Sequence, residues 1–140
     1  MKYWDSSAII PLLLAEEASP RMDAVVRDDA AIVTWWGTAI ECTSALARLE
    51  REGGLSPGDM RSAMTRLRHS TLGWAEVPAN DDVRDQAVRL LRVHRLRAAD
   101  AVQIAAAIVA ADFQTGTLDF VTLDVRQGEA AEREGFRVTM

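Results

Sequence analysis

Short apolar runs alternate with longer amphipathic stripes along the whole chain, and each change is marked by turn residues. "KYWD" (2–5) reads as a first strand closed by an acid. "SSAIIPLLLAEEA" (6–18) follows as a helix, with Pro11 close enough to its start to be tolerated. "SPRMDAVVRDD" (19–29) reads as a second helix, capped by Ser19 with Pro20 at its first position. "AAIVT" (30–34) is apolar and partly β-branched, a second strand. "TAIECTSALARLEREGG" (38–54) is a helix opened by Thr38 and stopped by Gly53-Gly54. "SPGDMRSAMTRLRHS" (56–70) repeats the Ser-Pro opening and sets Met60, Met64 and Leu67 on one face.

"LGWAEVP" (72–78) reads as a third strand. "NDDVRDQAVRLLRVHRL" (80–96) is amphipathic, with Val83, Ala87 and Leu90/Leu91 along one side. "AADAVQIAAAIVAA" (98–111) is so apolar that it predicts a central helix. "LDFVTLD" (118–124) holds a fourth strand, "VRQGEAAEREG" (125–135) a last helix, and "FRVTM" (136–140) a closing strand. Strands separated by helices or helix pairs predict an α/β fold with a mainly parallel sheet covered by helices.

Composition narrows the class. The 140 residues are 49% hydrophobic, enough for one domain spanning 1–140 with a proper core. No apolar run reaches the length of about 18 residues needed to cross a membrane, and "MKYWDSS" turns polar too soon for a signal peptide. The single cysteine, Cys42, excludes an internal disulfide and a multi-cysteine zinc site. A cytoplasmic protein is expected. The net charge of −5 and pI near 5.0 argue against coating nucleic acid by bulk electrostatics. They do not argue against cutting it through bound metal. Lys2 is the only lysine, so a P-loop and a phospho-accepting receiver-like domain with its late lysine are both disfavoured.

Four acids share one context. Asp5 ends the first strand and Asp124 the fourth; Glu41 and Asp100 lie in the first turns of helices. Each can be read as a cap: Asp5 at the first helix, Thr38 and Glu41 as a T-x-x-E box, Asp100 as a first-turn acid, Asp124 with Gln127 as a D-x-x-Q box. Read together, they can meet at the carboxyl edge of a parallel sheet, where such folds bind ligands. Carboxylates gathered without His or Cys repel one another. They suit Mg²⁺ or Mn²⁺, hard ions that take oxygen ligands and serve phosphodiester hydrolysis.

At these residues the chain resembles PIN-domain ribonucleases, specifically VapC toxins of type II toxin–antitoxin pairs. "YWDSSAII", "AIECTSALAR", "LRAADAVQIAAA" and "FVTLDVRQGEAAEREGF" carry the resemblance, in that order and over nearly the whole chain. It implies a PIN-like parallel sheet of about five strands and Mg²⁺- or Mn²⁺-dependent endoribonuclease activity that inhibits translation and growth. It implies that Asp5, Glu41, Asp100 and Asp124 are the catalytic and metal-binding acids, with Asp5 and Asp100 making the principal contacts. Ser7 and Thr122 are supporting hydroxyls; Ser6 or Ser7 is expected to take over the cap from Asp5. It further implies an RNA substrate, a homodimer, and a cognate VapB-like antitoxin in a hetero-oligomer, often inserting Arg or Lys into the acids. Gln103 stands where some relatives carry another acid, so the number of metal ions stays open. The competing reading is a PIN-like binding module without catalysis. Trp4 is expected in the core, Cys42 as a buried filler, and His69 and His94 at the surface. Trp35 and Trp36 fit either core or interface. Arg48, Arg95 and Arg97 either pair with the acids or meet RNA phosphates.

Overall fold

The computed structural model describes residues 1–140. Five short strands, β1 (Lys2–Trp4), β2 (Ile32–Trp35), β3 (Ala75–Val77), β4 (Asp119–Val121) and β5 (Arg137–Thr139), form one sheet in the order β3-β2-β1-β4-β5. Every pairing is parallel. Seven helices connect and cover them: α1 (Ser6–Leu13), α2 (Ser19–Asp28), α3 (Thr38–Arg51), α4 (Pro57–Thr71), α5 (Asp81–Val93), α6 (Ala98–Ala110) and α7 (Val125–Arg133). This is the α/β architecture with a parallel sheet that the alternation predicts, with the five strands that the PIN-like resemblance implies. No helix is long and apolar enough to cross a membrane.

The period-2 alternation of β1 divides the core. Tyr3 joins Val33, Phe120 and the alanine face of α6 on one side of the sheet. Trp4 joins Val121, Ile9, Leu46 and Leu67 on the other, under α1, α3 and α4. Tyr3 and Phe120 are register partners, and their rings stack at 5.3 Å. Both faces of the sheet are therefore covered, as an all-parallel sheet requires. Trp4 and Cys42 are fully buried as expected. Burial pushes the Cys42 thiol up to about 12, with Asp5 and Glu41 nearby adding to it, so it is no reactive nucleophile.

Several boundaries differ from the sequence reading for local reasons. The first helix stops at Leu13 rather than continuing to residue 18, because Leu14 is extended. Ser19 holds the turn that follows, accepting from Glu16 N at 2.8 Å and donating to the Leu14 carbonyl at 2.8 Å. Its hydroxyl is thus spent on the turn. Ser19 is the first helical residue of α2 and caps nothing; the N-cap is Ala18. Ser56, with the same Ser-Pro signature, does cap α4, accepting from Asp59 N at 3.1 Å. β2 begins two residues later than expected and includes Trp35. β3 shrinks to an edge strand because α4 runs on to Thr71.

His94 was expected at the surface and is not there. Its side chain is 7% exposed, and its Nε2 lies 2.7 Å from Glu134 Oε1. Arg89 grips the same carboxylate through both terminal nitrogens, tying the end of α5 to the end of α7. His69 is exposed as expected.

Candidate active site

The strand order places a reversal beside β1. The chain steps outward from β1 to β2 to β3, then returns to lay β4 on the other side of β1. The crevice at the carboxyl ends of β1 and β4 is the switch point where parallel sheets bind ligands. Asp5 stands at the end of β1, its N–H donating to the Val121 carbonyl at 3.0 Å. Thr122 directly follows β4.

Asp5 is 3% exposed, and every group around its Oδ2 is a donor. Ser7 N donates at 3.1 Å, Thr122 Oγ1 donates at 3.0 Å, and Ser7 Oγ makes a shorter bond. The aspartate is therefore its own cap for α1, and neither Ser6 nor Ser7 replaces it, contrary to expectation. Thr122 Oγ1 has one proton and gives it to Asp5, so the buried Gln127 amide turns its nitrogen toward the pair. In that orientation it donates to Asp5 Oδ2 at 2.9 Å and to Thr122 Oγ1 at 3.0 Å. Burial raises the Asp5 carboxyl above its usual range; the bonds from Ser7 and Thr122 oppose that rise.

Glu41 projects from the first turn of α3. It does not close a capping box with Thr38: the N-cap is Gly37, and Thr38 is buried. Glu41 Oε2 instead accepts from Ser6 Oγ at 2.9 Å and Gln103 Nε2 at 2.9 Å. Gln103 is fully buried and bridges three elements. It accepts from Tyr3 Oη at 2.7 Å and donates to Thr38 Oγ1 at 3.1 Å as well as to Glu41. Glu41 is raised first by burial and then by repulsion from Asp5 and Asp100; the bonds from Gln103 and Ser6 oppose this.

Asp100 and Asp124 both cap helices; Asp100 lies near enough to Glu41 to repel it, and Asp124 shares a cleft with Glu41 that neither Asp5 nor Asp100 lines. Asp100 accepts from Arg97 N at 3.1 Å at the start of α6. Asp124 is the N-cap of α7, accepting from Gln127 N at 3.0 Å. The Gln127 side chain goes to Asp5 rather than back to Asp124, so only half of the expected D-x-x-Q box forms. Asp119 sits at the opposite end of β4 and pairs with Arg137 at 2.8 Å.

Glu41 and Asp124 line one cleft of about 670 Å³, together with Ser6 and Ser7. None of Asp5, Glu41, Asp100 and Asp124 forms an ion pair with Lys, Arg or His. The donor set is carboxylate and hydroxyl oxygen, which fits a hard divalent cation. The side chains do not form a closed cage: no three His, Cys, Asp or Glu groups are disposed to grip one ion. A magnesium-like ion, which keeps several waters, suits such an open arrangement. The free acceptor atoms are identifiable. Asp5 Oδ1 has only a 3.3 Å contact from Ser6 and a 3.2 Å approach from Gln127, and Glu41 Oε1 accepts nothing from the protein.

Sequence reasoning named Ser7 and Thr122 as supporting hydroxyls, and both touch Asp5. It missed Gln103 and Gln127 as site residues. The signal for Gln103 was present: it is the one polar side chain inside the apolar run "AVQIAAAIVAA".

No family profile and no curated protein matches this chain. Solved structures do resemble it. PAE2754 from Pyrobaculum aerophilum superposes with a TM-score of 0.67 at 20% identity, over 99% of this chain and 83% of the other. FitAcB from Neisseria gonorrhoeae gives 0.65 at 19% identity, over 100% and 97%. A toxin–antitoxin complex from Klebsiella pneumoniae gives 0.60 at 15% identity, over 91% and 89%. At these identities the likeness is one of fold.

Proposed function

We propose that this protein is a metal-dependent endoribonuclease, a VapC-type toxin of a type II toxin–antitoxin pair. The observation that carries the reading is Asp5. It is a buried carboxylate at the topological switch point, surrounded by donors, close enough to Glu41 for the two to repel, and without a cationic partner. Such a group is costly without a cation. Similarity of fold to a chain of a toxin–antitoxin complex supports the biological role. On this reading the substrate is RNA and the protein acts as a homodimer. A cognate VapB-like antitoxin blocks the cleft, with an Arg or Lys entering the acids.

Asp5 Oδ1 and Asp100 would hold Mg²⁺ or Mn²⁺, with Glu41 and Asp124 contacting it directly or through waters. The bound ion would supply water activation and charge stabilisation at the phosphoryl oxygens. The chain's own groups set the geometry. Ser7, Thr122 and Gln127 fix the Asp5 carboxylate by holding Oδ2, which leaves Oδ1 the less engaged oxygen. Gln103 and Ser6 fix Glu41 by Oε2, which leaves Oε1 free to accept a proton from an attacking water. The raised proton affinity of Glu41 suits that task.

The test is expression with and without the neighbouring antitoxin gene, followed by RNA cleavage with the purified protein. Growth arrest and Mg²⁺-dependent cutting are expected, both abolished by Asp5→Asn or Asp100→Asn. Undiminished cutting by both variants refutes the site. One observation favours the non-catalytic alternative, the lack of a preformed three-ligand cage. A melting temperature unmoved by Mg²⁺, together with no cutting, would establish that alternative.

A further inference from the structure

The floor of the cleft is acidic, yet its ligand under the nuclease reading is a polyanion. Three arginines meet this difficulty. Arg48 and Arg51, in the last turn of α3, and Arg97, at the start of α6, line the cleft with Glu16, Glu41 and Asp124. All three are exposed. None forms an ion pair; the arginines that do, Arg84, Arg89, Arg133 and Arg137, engage other carboxylates. Nor does any of the three guanidiniums donate to a backbone carbonyl, as Arg66 does to Leu13. Three guanidiniums thus stand against three carboxylates in the lining, and the cleft is near neutral only because of them.

We infer that Arg48, Arg51 and Arg97 form a phosphate-binding rim that holds single-stranded RNA across the acidic floor. The inference rests on the nuclease reading above. Guanidinium forks match phosphate oxygens in a two-pronged geometry that no other side chain offers. The rim has two walls: α3 supplies Arg48 and Arg51, and the α6 entrance supplies Arg97. A strand crossing the cleft meets a guanidinium at each side, with a phosphate between them brought over Glu41 and Asp124. The floor is recessed, with Asp5 almost wholly covered. An unpaired strand can bend a phosphate into it, whereas double-stranded RNA is contacted across its outer grooves. Arg97 couples rim to floor directly, since its backbone N–H donates to Asp100 while its side chain faces the cleft. Arg95, the third arginine weighed from sequence, is not part of this lining.

The experiment measures binding of a fluorescent single-stranded RNA by anisotropy, in Mg²⁺, from about 50 to 200 mM salt. Asp5→Asn prevents cutting during the titration. Arg48→Ala, Arg51→Ala and Arg97→Ala are then added together. Binding is expected to weaken on the order of ten-fold at the lower salt. The slope of log K against log salt should become shallower by about 2, three phosphate contacts at about 0.7 each. The triple lysine variant should keep most of the slope while losing part of the affinity, because charge is retained and the fork is lost. Thermal melting of each variant confirms that it is folded; should the alanine variant fail to fold, the lysine variant carries the affinity test. An unchanged slope and affinity in the alanine variant overturn the rim while leaving the nuclease intact. The same result with loss of antitoxin binding overturns it too, and gives the arginines to the protein partner. If the parent protein neither binds nor cuts RNA in Mg²⁺, the nuclease reading fails first and takes the rim with it.

Discussion

Asp5→Asn separates two roles of one carboxylate, and the structure fixes the direction of each. The substitution keeps shape and removes charge. An asparagine carbonyl placed where Oδ2 lies still accepts from Ser7 N, Ser7 Oγ and Thr122 Oγ1. Its amide then lies where Oδ1 is, with Ser6 Oγ able to accept from it and the Gln127 nitrogen, a weak contact at 3.2 Å, turned away from it toward Thr122. A buried ion costs several kcal/mol, and its charge-assisted bonds return about 1.5 kcal/mol or more each. The bonds survive in neutral, weaker form while the ion's cost disappears. A net gain of about 1 kcal/mol is expected for the metal-free protein. With an unfolding entropy of about 0.3 kcal/mol per kelvin for a chain of this length, that is a rise of about 3 °C.

Metal reverses the order. Mg²⁺ at about 100 times its dissociation constant adds about 2.7 kcal/mol to the wild type, about 9 °C, and little to the variant. Differential scanning fluorimetry at neutral pH, with EDTA and then with Mg²⁺, reads both effects. A variant that melts several degrees below wild type in EDTA would refute the account of an uncompensated charge. An equal metal-induced rise in both proteins would refute Asp5 as a ligand.

Two further substitutions test the surroundings. Gln103→Leu keeps the volume but strips Tyr3 Oη, Thr38 Oγ1 and Glu41 of their shared partner; it should cost about 2–4 kcal/mol and release Glu41, lowering cleavage more than RNA binding, as kinetics and anisotropy would show. Glu134 tests acid stability at a distance from the site. Burial would raise its pKa, but the bonds from Arg89 and His94 win and lower it. A carboxyl lowered in the folded state adds stability above its unfolded pKa, and that stability drains away as pH falls through the lowered value. Glu134→Gln should therefore narrow the loss of melting temperature below about pH 4.5. A variant and wild type with parallel pH profiles would contradict the clamp.

The fold was legible because the chain punctuates itself. Strand runs of three or four residues are weak signals alone, but Gly53-Gly54, the Ser-Pro of α4 and Asn80 mark the helices between them. Misreadings fell where a polar side chain had a tertiary use that outweighed its local one. Ser19 is spent on a turn, Glu41 reaches Ser6 and Gln103 instead of its own helix end, and Gln127 leaves its box for Asp5. His94 sits among arginines in sequence and reads as surface; only the return of α7 beside α5 supplies Glu134. The four acids were legible in the sequence because Asp5 and Asp124 follow strands while Glu41 and Asp100 lie in the first turns of helices, Asp100 between two helices. That they bring two buried glutamines with them was not, since the glutamine contacts span 62 residues in one case and 122 in the other.

β1 is the middle strand of the sheet and precedes every other strand and helix in sequence. Its partner on one side, β4, begins only at residue 119, and Thr122 and Gln127 complete the cradle of Asp5. Proteins emerge from the ribosome amino end first. The strand bearing Trp4 must therefore wait, its backbone unpaired on one side, until β4 has been made. No fragment shorter than about nine-tenths of the chain can own the site, whatever its helices have done by then. The cradle of Asp5 is therefore complete only once the segment carrying Thr122 and Gln127 has joined the sheet beside β1. Chains truncated before residue 119 should gain no protease resistance with Mg²⁺, whereas the 140-residue chain should.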